Sequence, residues 1–203
     1  MTKYTLHYFN LKGRGEIVRL MLVAAGVDFE DHRVEREEWP KLKPTMPAGQ
    51  MPVLEVDGKK YCQSLAIARY VAREYGMAGA SSTEQLLIDQ VVDTVNDLLT
   101  DMVKPIFEQD ATRKAEMMKK LNEETVPRVM GILLNFLEGN GGQYFVGTKL
   151  SLADVYFMDV VSRILDQDSK ILDKFPKLAA NLKSTQSLPK IADYLAKRPK
   201  TEI

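Results

Sequence analysis

The sequence predicts an α/β domain followed by an all-α domain. Three observations support this fold class: strand and helix periodicities alternate in the first third of the chain, only helical periodicity follows, and a Gly-, Ala- and Ser-rich segment at 75–82 separates the two parts. A length of 203 residues is sufficient for two small domains. We place the boundary near residue 78, with domains spanning residues 1–76 and 83–203.

The first third is predicted to contain a βαβ unit followed by a ββα unit. Tyr4 to Phe9 alternates as a strand does, and apolar residues recur at helical spacing from Arg14 to Ala25. Phe29 to Val34 is the second predicted strand. The Asp57-Gly58 pair lies between two further strand-like runs and favours a tight type I′ hairpin turn. Ser64 is then placed to cap the next helix.

The remainder of the chain shows helical spacing. Apolar residues from Leu87 to Met102 recur every three or four positions and predict one long amphipathic helix. Ser82 and Gln85 have the spacing of a capping box in front of it. Residues 112–137 predict a second helix with a kink at its proline. The run Ser151-Leu152-Ala153-Asp154 follows the capping-box pattern with Asp in place of Glu, and shorter helices finish the chain.

Composition excludes several functional classes. The 28 Lys and Arg residues balance the 28 Asp and Glu residues, so no broad basic field exists to hold nucleic acid or a membrane surface. The longest uncharged stretch, Pro44 to Leu54, falls short of the roughly 20 apolar residues of a transmembrane helix. The N-terminus lacks the apolar region of a signal peptide, and the single cysteine suits a reducing compartment. A cytoplasmic protein is therefore expected.

Cysteine chemistry is excluded on the same basis. Cys62 is the only cysteine, so no intrachain disulfide and no thiol-rich zinc site can form. The loop after the first strand, Phe9 to Lys12, contains no cysteine, which excludes thioredoxin-type thiol–disulfide exchange. Cys62 is expected to be a small buried hydrophobic residue in a strand. Gly13-Arg14-Gly15 does not continue into a dinucleotide-binding motif, because Val18 occupies the third glycine position.

Several residues have both a structural and a functional interpretation. Tyr8 is either an aromatic residue packed in the sheet or a phenol directed into a cleft at the carboxyl end of a strand. Arg14 is either solvated or a cation beside a helix N-terminus, where anions bind. Gln63-Ser64 form a plain helix cap, a carboxylate pocket, or both. Met51-Pro52 is a candidate cis peptide that would free the Met51 backbone to pair with a peptide-like ligand.

Four runs carry a family resemblance: YTLHYFNLKGRGEIVRL, FEDHRVEREEWPKLK, MPAGQMPVLEVDGKKYCQSLAIARYVA and SLADVYF. With them the chain resembles the sigma class of cytosolic glutathione transferases over essentially its full length. That class also includes hematopoietic-type prostaglandin D synthases and cephalopod lens S-crystallins. The resemblance implies a thioredoxin-like N-terminal domain, a helical C-terminal domain that forms the electrophile pocket, and a homodimer with two glutathione sites.

The resemblance also implies a set of site residues. Tyr8 matches the catalytic tyrosine, whose hydroxyl lowers the pKa of the glutathione thiol through a hydrogen bond. Asp97 matches the acid that a partner subunit offers to the glutathione amine. Glutathione is the implied co-substrate, with a small apolar electrophile as its acceptor, and no metal is expected. The implied glutathione-binding residues are Tyr8, Arg14, Trp39, Lys43, Gly49, Gln50, Met51, Pro52, Gln63, Ser64 and Asp97.

Departures from the prostaglandin D synthase pattern favour a general glutathione transferase. Asn96 replaces the middle one of three carboxylates that bind a divalent ion in those synthases, and Lys104 replaces a tryptophan of their product cleft. Gln50 replaces a lysine. A glutathione-dependent prostaglandin H2 D-isomerase is the main alternative. A non-catalytic S-crystallin-like structural protein is the other, and the chain lacks the long insertion that such proteins often carry between positions 105 and 125.

Overall fold

The computed structural model of the chain describes residues 2–201. These residues pack into two units. One unit comprises the chain up to Met77 together with the residues from Gln186 onward, and the other comprises Ala78–Thr185. The strands are β1 (Tyr4–Phe9), β2 (Glu30–Val34), β3 (Val53–Val56) and β4 (Lys59–Cys62), and the helices are α1 (Glu16–Ala25), α2 (Trp39–Leu42), α3 (Ser64–Glu74), α4 (Ser82–Phe107), α5 (Ala111–Lys120), α6 (Val126–Gly139), α7 (Leu152–Leu165), α8 (Pro176–Gln186) and α9 (Pro189–Lys197).

The first unit is built on a mixed sheet with strand order β2-β1-β3-β4. β1 runs parallel to β2 and antiparallel to β3, and β4 returns antiparallel to β3. The predicted hairpin between β3 and β4 is present, and Asp57 (φ 49°) and Gly58 (φ 85°) have the positive φ angles that a type I′ turn requires. Helix α1 packs against both α3 and α9. This α/β arrangement confirms the fold class expected for the N-terminal part.

Helices are the only regular secondary structure among the described residues of the second unit. Helix α4 packs against α6 and α7. Helix α7 is buried at every position from Leu152 to Val161, so it forms the centre of this unit. The predicted capping box at its start is present. The Ser151 N–H donates to Asp154 Oδ2 over 2.9 Å, and the Ser151 side chain accepts the Asp154 N–H.

Local details differ from three sequence predictions. The cap of α4 is Ser81, whose hydroxyl accepts the Glu84 N–H over 3.1 Å, instead of Ser82. Ser64 is the first residue of α3 instead of its cap, and Gln63 occupies the cap position without a side-chain hydrogen bond. A π-helical segment, Leu121–Thr125, interrupts the helix predicted over residues 112–137. It ends two residues before Pro127, which has no N–H for the α-helical ladder.

Candidate active site

The strand register brings three separate segments to one end of the sheet, where the strands begin or finish. Val53, the first residue of β3, pairs with His7 of β1 and with Cys62 at the end of β4. Three segments therefore meet at the same end of the sheet: the residues before β3, the residues after β4 and the carboxyl end of β1. These are the places where the sequence predicted functional residues, at Tyr8, Met51-Pro52 and Gln63-Ser64.

Tyr8 is buried, with 8% of its surface exposed. Its hydroxyl oxygen accepts a hydrogen bond from the backbone N–H of Arg14 over 2.9 Å. The chain therefore folds back on itself between the end of β1 and the start of α1, so that the loop carrying Arg14 covers the phenol. Tyr8 therefore packs within the sheet, as the structural interpretation predicted, and its hydroxyl lies against the loop at the carboxyl end of the strand.

Two glycines allow this close approach. A Cβ atom at Gly13 would overlap the Tyr8 hydroxyl, and one at Gly15 would overlap the Tyr8 ring. Gly13 also has φ +41°, which L-residues with side chains adopt at a cost. The Gly13-Arg14-Gly15 sequence, which is not a dinucleotide motif, is required here because the backbone of the loop contacts the tyrosine.

Sequence reasoning missed a buried cation beside the same ring. Arg19 of α1 is fully buried, and its guanidinium carbon lies 5.7 Å from the centroid of the Tyr8 ring. Burial alone would lower the pKa of Arg19, but the carboxylates of Asp31 and Glu16 outweigh this effect and raise the pKa. Arg19 is therefore a permanent positive charge next to Tyr8. Arg19 is one of two charged residues in α1, and nothing in the sequence distinguishes it from a solvent-exposed charge.

A second group of predicted residues lies where the chain leaves β2. Phe9, paired with Val34 at the end of β2, packs edge-on against Trp39, with 5.6 Å between ring centroids. The Lys43 side chain follows one helical turn later and lies within ordinary contact distance, 3.8 Å, of the point where a Gly49 Cβ would be. Trp39, Lys43 and Gly49 are thus arranged along one segment that begins beside the carboxyl end of β1.

The segments before β3 and after β4 show two backbone features. The Met51-Pro52 peptide bond is cis. Gln63 has φ 75°, an unusual value for a residue with a side chain, and directly precedes the buried Ser64 at the start of α3. A positive φ at a residue with a side chain is strained backbone, and such residues cluster at ligand-binding positions. Gln50, between Gly49 and Met51, is exposed.

Asp97 belongs to the other unit, on α4, where it is exposed to solvent together with Asp93 one turn earlier. Asn96 is half-buried between them, and its side-chain oxygen accepts the Tyr156 hydroxyl over 3.3 Å. The amide at position 96 therefore packs within the helical unit, and the two aspartates form an exposed acidic face.

The two histidines of the chain, His7 and His32, are paired in the structure. The parallel register sets His7 opposite His32, and their Nδ1 atoms are 3.0 Å apart. His7 Nε2 lies 3.4 Å from Glu55 Oε2 on the other neighbouring strand. Burial lowers the pKa of His7, and the neighbouring His32 and Lys60 act in the same direction, whereas Glu55 opposes them. The neutral ring can then donate to one neighbour and accept from the other.

Within residues 2–201, no cluster of three or more His, Cys, Asp or Glu side chains is arranged to hold a metal ion. No helix in this part of the chain combines the length and the apolar character needed to cross a membrane. Cys62 is half-buried, which corrects the expectation that it is a buried hydrophobic residue, because it is the last residue of the edge strand β4, in which no residue is fully buried.

The chain is similar to known proteins over its full length. Residues 4–73 match the family model for the N-terminal domain of glutathione S-transferase, and residues 96–198 match that for the C-terminal domain. The chain is 42% identical to a hematopoietic prostaglandin D synthase of Gallus gallus and 42% identical to a glutathione S-transferase of Anopheles gambiae, each over 100% of both chains. A solved prostaglandin synthase D of Nilaparvata lugens superposes with a TM-score of 0.90 at 42% identity, covering 98% of this chain and 100% of that one.

Proposed function

Since the chain belongs to the glutathione S-transferase family, we propose that Tyr8 activates the thiol of glutathione for addition to small apolar electrophiles. The protein is a glutathione transferase, and glutathione is its co-substrate. The family resemblance assigns the tyrosine, and the geometry around its hydroxyl supports that assignment.

The hydrogen bond between Arg14 and Tyr8 is the observation that carries the proposal. The Tyr8 oxygen accepts the Arg14 N–H over 2.9 Å, so its own proton remains available to a second partner. A free thiol with a pKa of about 8.5 is only about 3% ionised at pH 7, and the thiolate is the reactive form. A hydrogen bond from Tyr8 to the sulfur stabilises the thiolate and lowers the thiol pKa.

The charges of glutathione match the remaining predicted residues. Glutathione has two carboxylates and one ammonium group. In the proposed complex, Arg14, Lys43 and the first turn of α3 at Ser64 face the carboxylates. The backbone of Met51 pairs with the cysteinyl unit. Trp39, Gly49, Gln50, Pro52 and Gln63 complete the proposed glutathione contacts.

The ammonium group requires an acid, and we assign it to Asp97 of a second subunit. This assignment includes the proposal that the protein is a homodimer with two glutathione sites. Exposure of Asp97 on α4 leaves its carboxylate accessible to a partner. We also propose that residues 1–76 form the glutathione-binding domain and residues 83–203 the electrophile-binding domain, and that the protein is cytoplasmic, in keeping with its single free cysteine.

The test of this function is conjugation of glutathione to an aryl halide by the purified protein. Tyr8→Phe should lower the rate about 10- to 1000-fold, the range for removing one donor of this type. Tyr61→Phe is the matched control, because Tyr61 lies on β4 of the same sheet and is 45% exposed. A Tyr8→Phe enzyme with at least half of the wild-type rate would remove Tyr8 from the mechanism. Absence of conjugation by the wild type would favour the non-catalytic, S-crystallin-like alternative.

A second candidate activity is isomerisation of prostaglandin H2, because the relatives include proteins named prostaglandin D synthase. It would use the same activated thiolate. Two residues on α4 weigh against it: Lys104, which forms an ion pair with Asp101, and Asn96, which is hydrogen-bonded to Tyr156. Incubation with prostaglandin H2 and glutathione distinguishes the two activities by the product formed. Faster turnover of prostaglandin H2 than of any aryl halide would make isomerisation the principal function.

A further inference from the structure

Arg19 holds the backbone that follows Tyr8. Its guanidinium donates to the carbonyl oxygen of Leu11 over 2.8 Å and to that of Phe9 over 3.2 Å. The same group lies 5.7 Å from the centroid of the Tyr8 ring. Because a guanidinium is a rigid planar fork, it fixes the two carbonyls and the ring relative to one another. Arg19 therefore sets the path of the loop that returns to the Tyr8 hydroxyl at Arg14.

Two carboxylates hold this buried cation. Arg19 Nε lies 2.9 and 3.1 Å from the two oxygens of Asp31, and a terminal nitrogen donates to Glu16 Oε2 over 3.2 Å. Glu16 is itself buried, with 1% of its surface exposed. A buried ion pair is stable only when its remaining hydrogen-bonding positions are also satisfied. The second oxygen of Glu16 must therefore have partners of its own.

Those partners come from the other end of the chain. Glu16 Oε1 accepts the Tyr194 hydroxyl over 3.1 Å and an Arg198 N–H over 2.7 Å, although these residues are 178 and 182 positions away in sequence. Tyr194 lies on α9, which packs against α1. Burial, and then the Glu16 carboxylate, raise the pKa of Tyr194, so the hydroxyl remains a donor. Glu16 thus joins the C-terminal segment to Arg19.

We propose that Tyr194 and Arg198 are positioning residues for the reaction, because through Glu16 and Arg19 they hold the loop that places the Tyr8 hydroxyl against the glutathione sulfur. The inference rests on the proposed role of Tyr8. Tyr194 and Arg198 bond to Glu16, which is not a proposed glutathione-binding residue. The C-terminal segment nevertheless determines how well the thiolate is stabilised. Hydrogen bonds weaken steeply as their distance and angle depart from the optimum, so a small displacement of the loop is sufficient to weaken the bond from the Tyr8 hydroxyl to the sulfur.

The readout is the pKa of the bound glutathione thiol, measured from the ultraviolet absorbance of the thiolate. Tyr194→Phe and Arg198→Ala should each raise this pKa by about 0.5–1 unit and lower kcat about 3- to 10-fold. The Michaelis constant for glutathione should change by less than about twofold, because no proposed contact is lost. Arg198→Lys, which keeps the cation, should recover most of the effect. Asp193→Asn and Lys197→Ala are matched controls, because these residues form an exposed ion pair on the same helix.

A double-mutant cycle separates positioning from general destabilisation. If Arg198 acts through Tyr8, Arg198→Ala should not raise the thiol pKa further in a Tyr8→Phe background. A lower melting temperature with an unchanged thiol pKa in both Tyr194→Phe and Arg198→Ala would overturn the inference, since that result describes a purely structural role. An additive effect in the double variant would overturn it as well. If Tyr8→Phe alone left the thiol pKa unchanged, the proposed function would fail first and the positioning role with it.

Discussion

The backbone N–H of Arg14 donates to the Tyr8 hydroxyl oxygen over 2.9 Å, and this bond connects two residues that the sequence placed on separate elements. Tyr8 belongs to β1 and Arg14 to the loop before α1. The bond determines the direction of the tyrosine proton and depends on how closely the loop approaches the ring. Substitutions that move the loop should therefore alter catalysis without touching the hydroxyl.

Gly15→Ala tests that close approach. The φ of Gly15 is −83°, which alanine adopts freely, so the only obstacle is the overlap of the new Cβ with the Tyr8 ring. We expect a loss of about 1–3 kcal/mol in the free energy of unfolding, as for overpacked sites, and a decrease of about tenfold or more in conjugation rate. Gly131→Ala is the control, because nothing lies within 4 Å of its Cβ position on α6, and it should stabilise the protein by about 0.4–1 kcal/mol. Equal activity of the two variants would show that the loop does not control Tyr8.

Asp97→Ala tests the proposed second subunit. If Asp97 faces the glutathione ammonium group across a dimer interface, the variant should bind glutathione more weakly by about 1.5–3 kcal/mol, the range for hydrogen bonds to charged groups. Asp93→Ala is the matched control, since Asp93 is exposed one turn earlier on α4. Calorimetry measures both dissociation constants, and sedimentation gives the oligomeric state. A monomer that binds glutathione with the same affinity in both variants would exclude the shared site.

The capping residues of two helices should contribute unequally to the free energy of unfolding. Asp154 accepts from the N–H groups of Ser151 and Phe145 and from the Asn181 amide, all within buried structure. Asp154→Ala leaves these donors unsatisfied and should lower the free energy of unfolding by about 2–4 kcal/mol. Ser81 caps the exposed start of α4, so Ser81→Ala should cost about 1 kcal/mol. Chemical denaturation measures both values. Equal losses in the two variants would contradict the role of burial.

Stability should fall as the solution becomes mildly acidic, because of His7. Its pKa in the folded protein is lowered from the ordinary value of 6.5, chiefly by burial. When the pH is below that ordinary value, His7 binds more protons in the unfolded state than in the folded state. The free energy of unfolding therefore decreases as the pH falls through the pKa of the folded protein. Unfolding measured between about pH 7.5 and about pH 5.5 should show this decrease, and His7→Gln should reduce it. A constant or rising stability toward pH 5.5 would contradict the assignment.

Local sequence signals predicted the elements of the sheet well. The alternation of Tyr4 to Phe9 and the Asp57-Gly58 turn depend on neighbouring residues only, so both are visible in one strand or one hairpin. The position of Tyr8 at the end of β1 followed from the same signals. Its identification as a catalytic residue needed the family resemblance, because an isolated tyrosine in a strand has no distinctive pattern.

The surroundings of Tyr8 could not be predicted in this way. Arg19 has the appearance of a surface charge on α1, and its burial depends on Asp31, on Glu16 and on a C-terminal segment that follows α9. The contact between His7 and His32 depends on the register of two parallel strands, which the sequence does not specify. The positive φ of Gln63 likewise arises from the junction of β4 and α3. Each of these features is produced by tertiary packing.

The most direct test of the account is the pH titration of enzyme-bound glutathione, followed by thiolate absorbance, in the wild-type protein and in Tyr8→Phe. We expect a thiol pKa about 2 units below the free value of about 8.5 in the wild type, and a return to within about 1 unit of the free value in Tyr8→Phe. Saturating glutathione in both samples ensures that the comparison reports on the bound state. The same lowered pKa in both proteins would contradict the claim that Tyr8 activates the thiol.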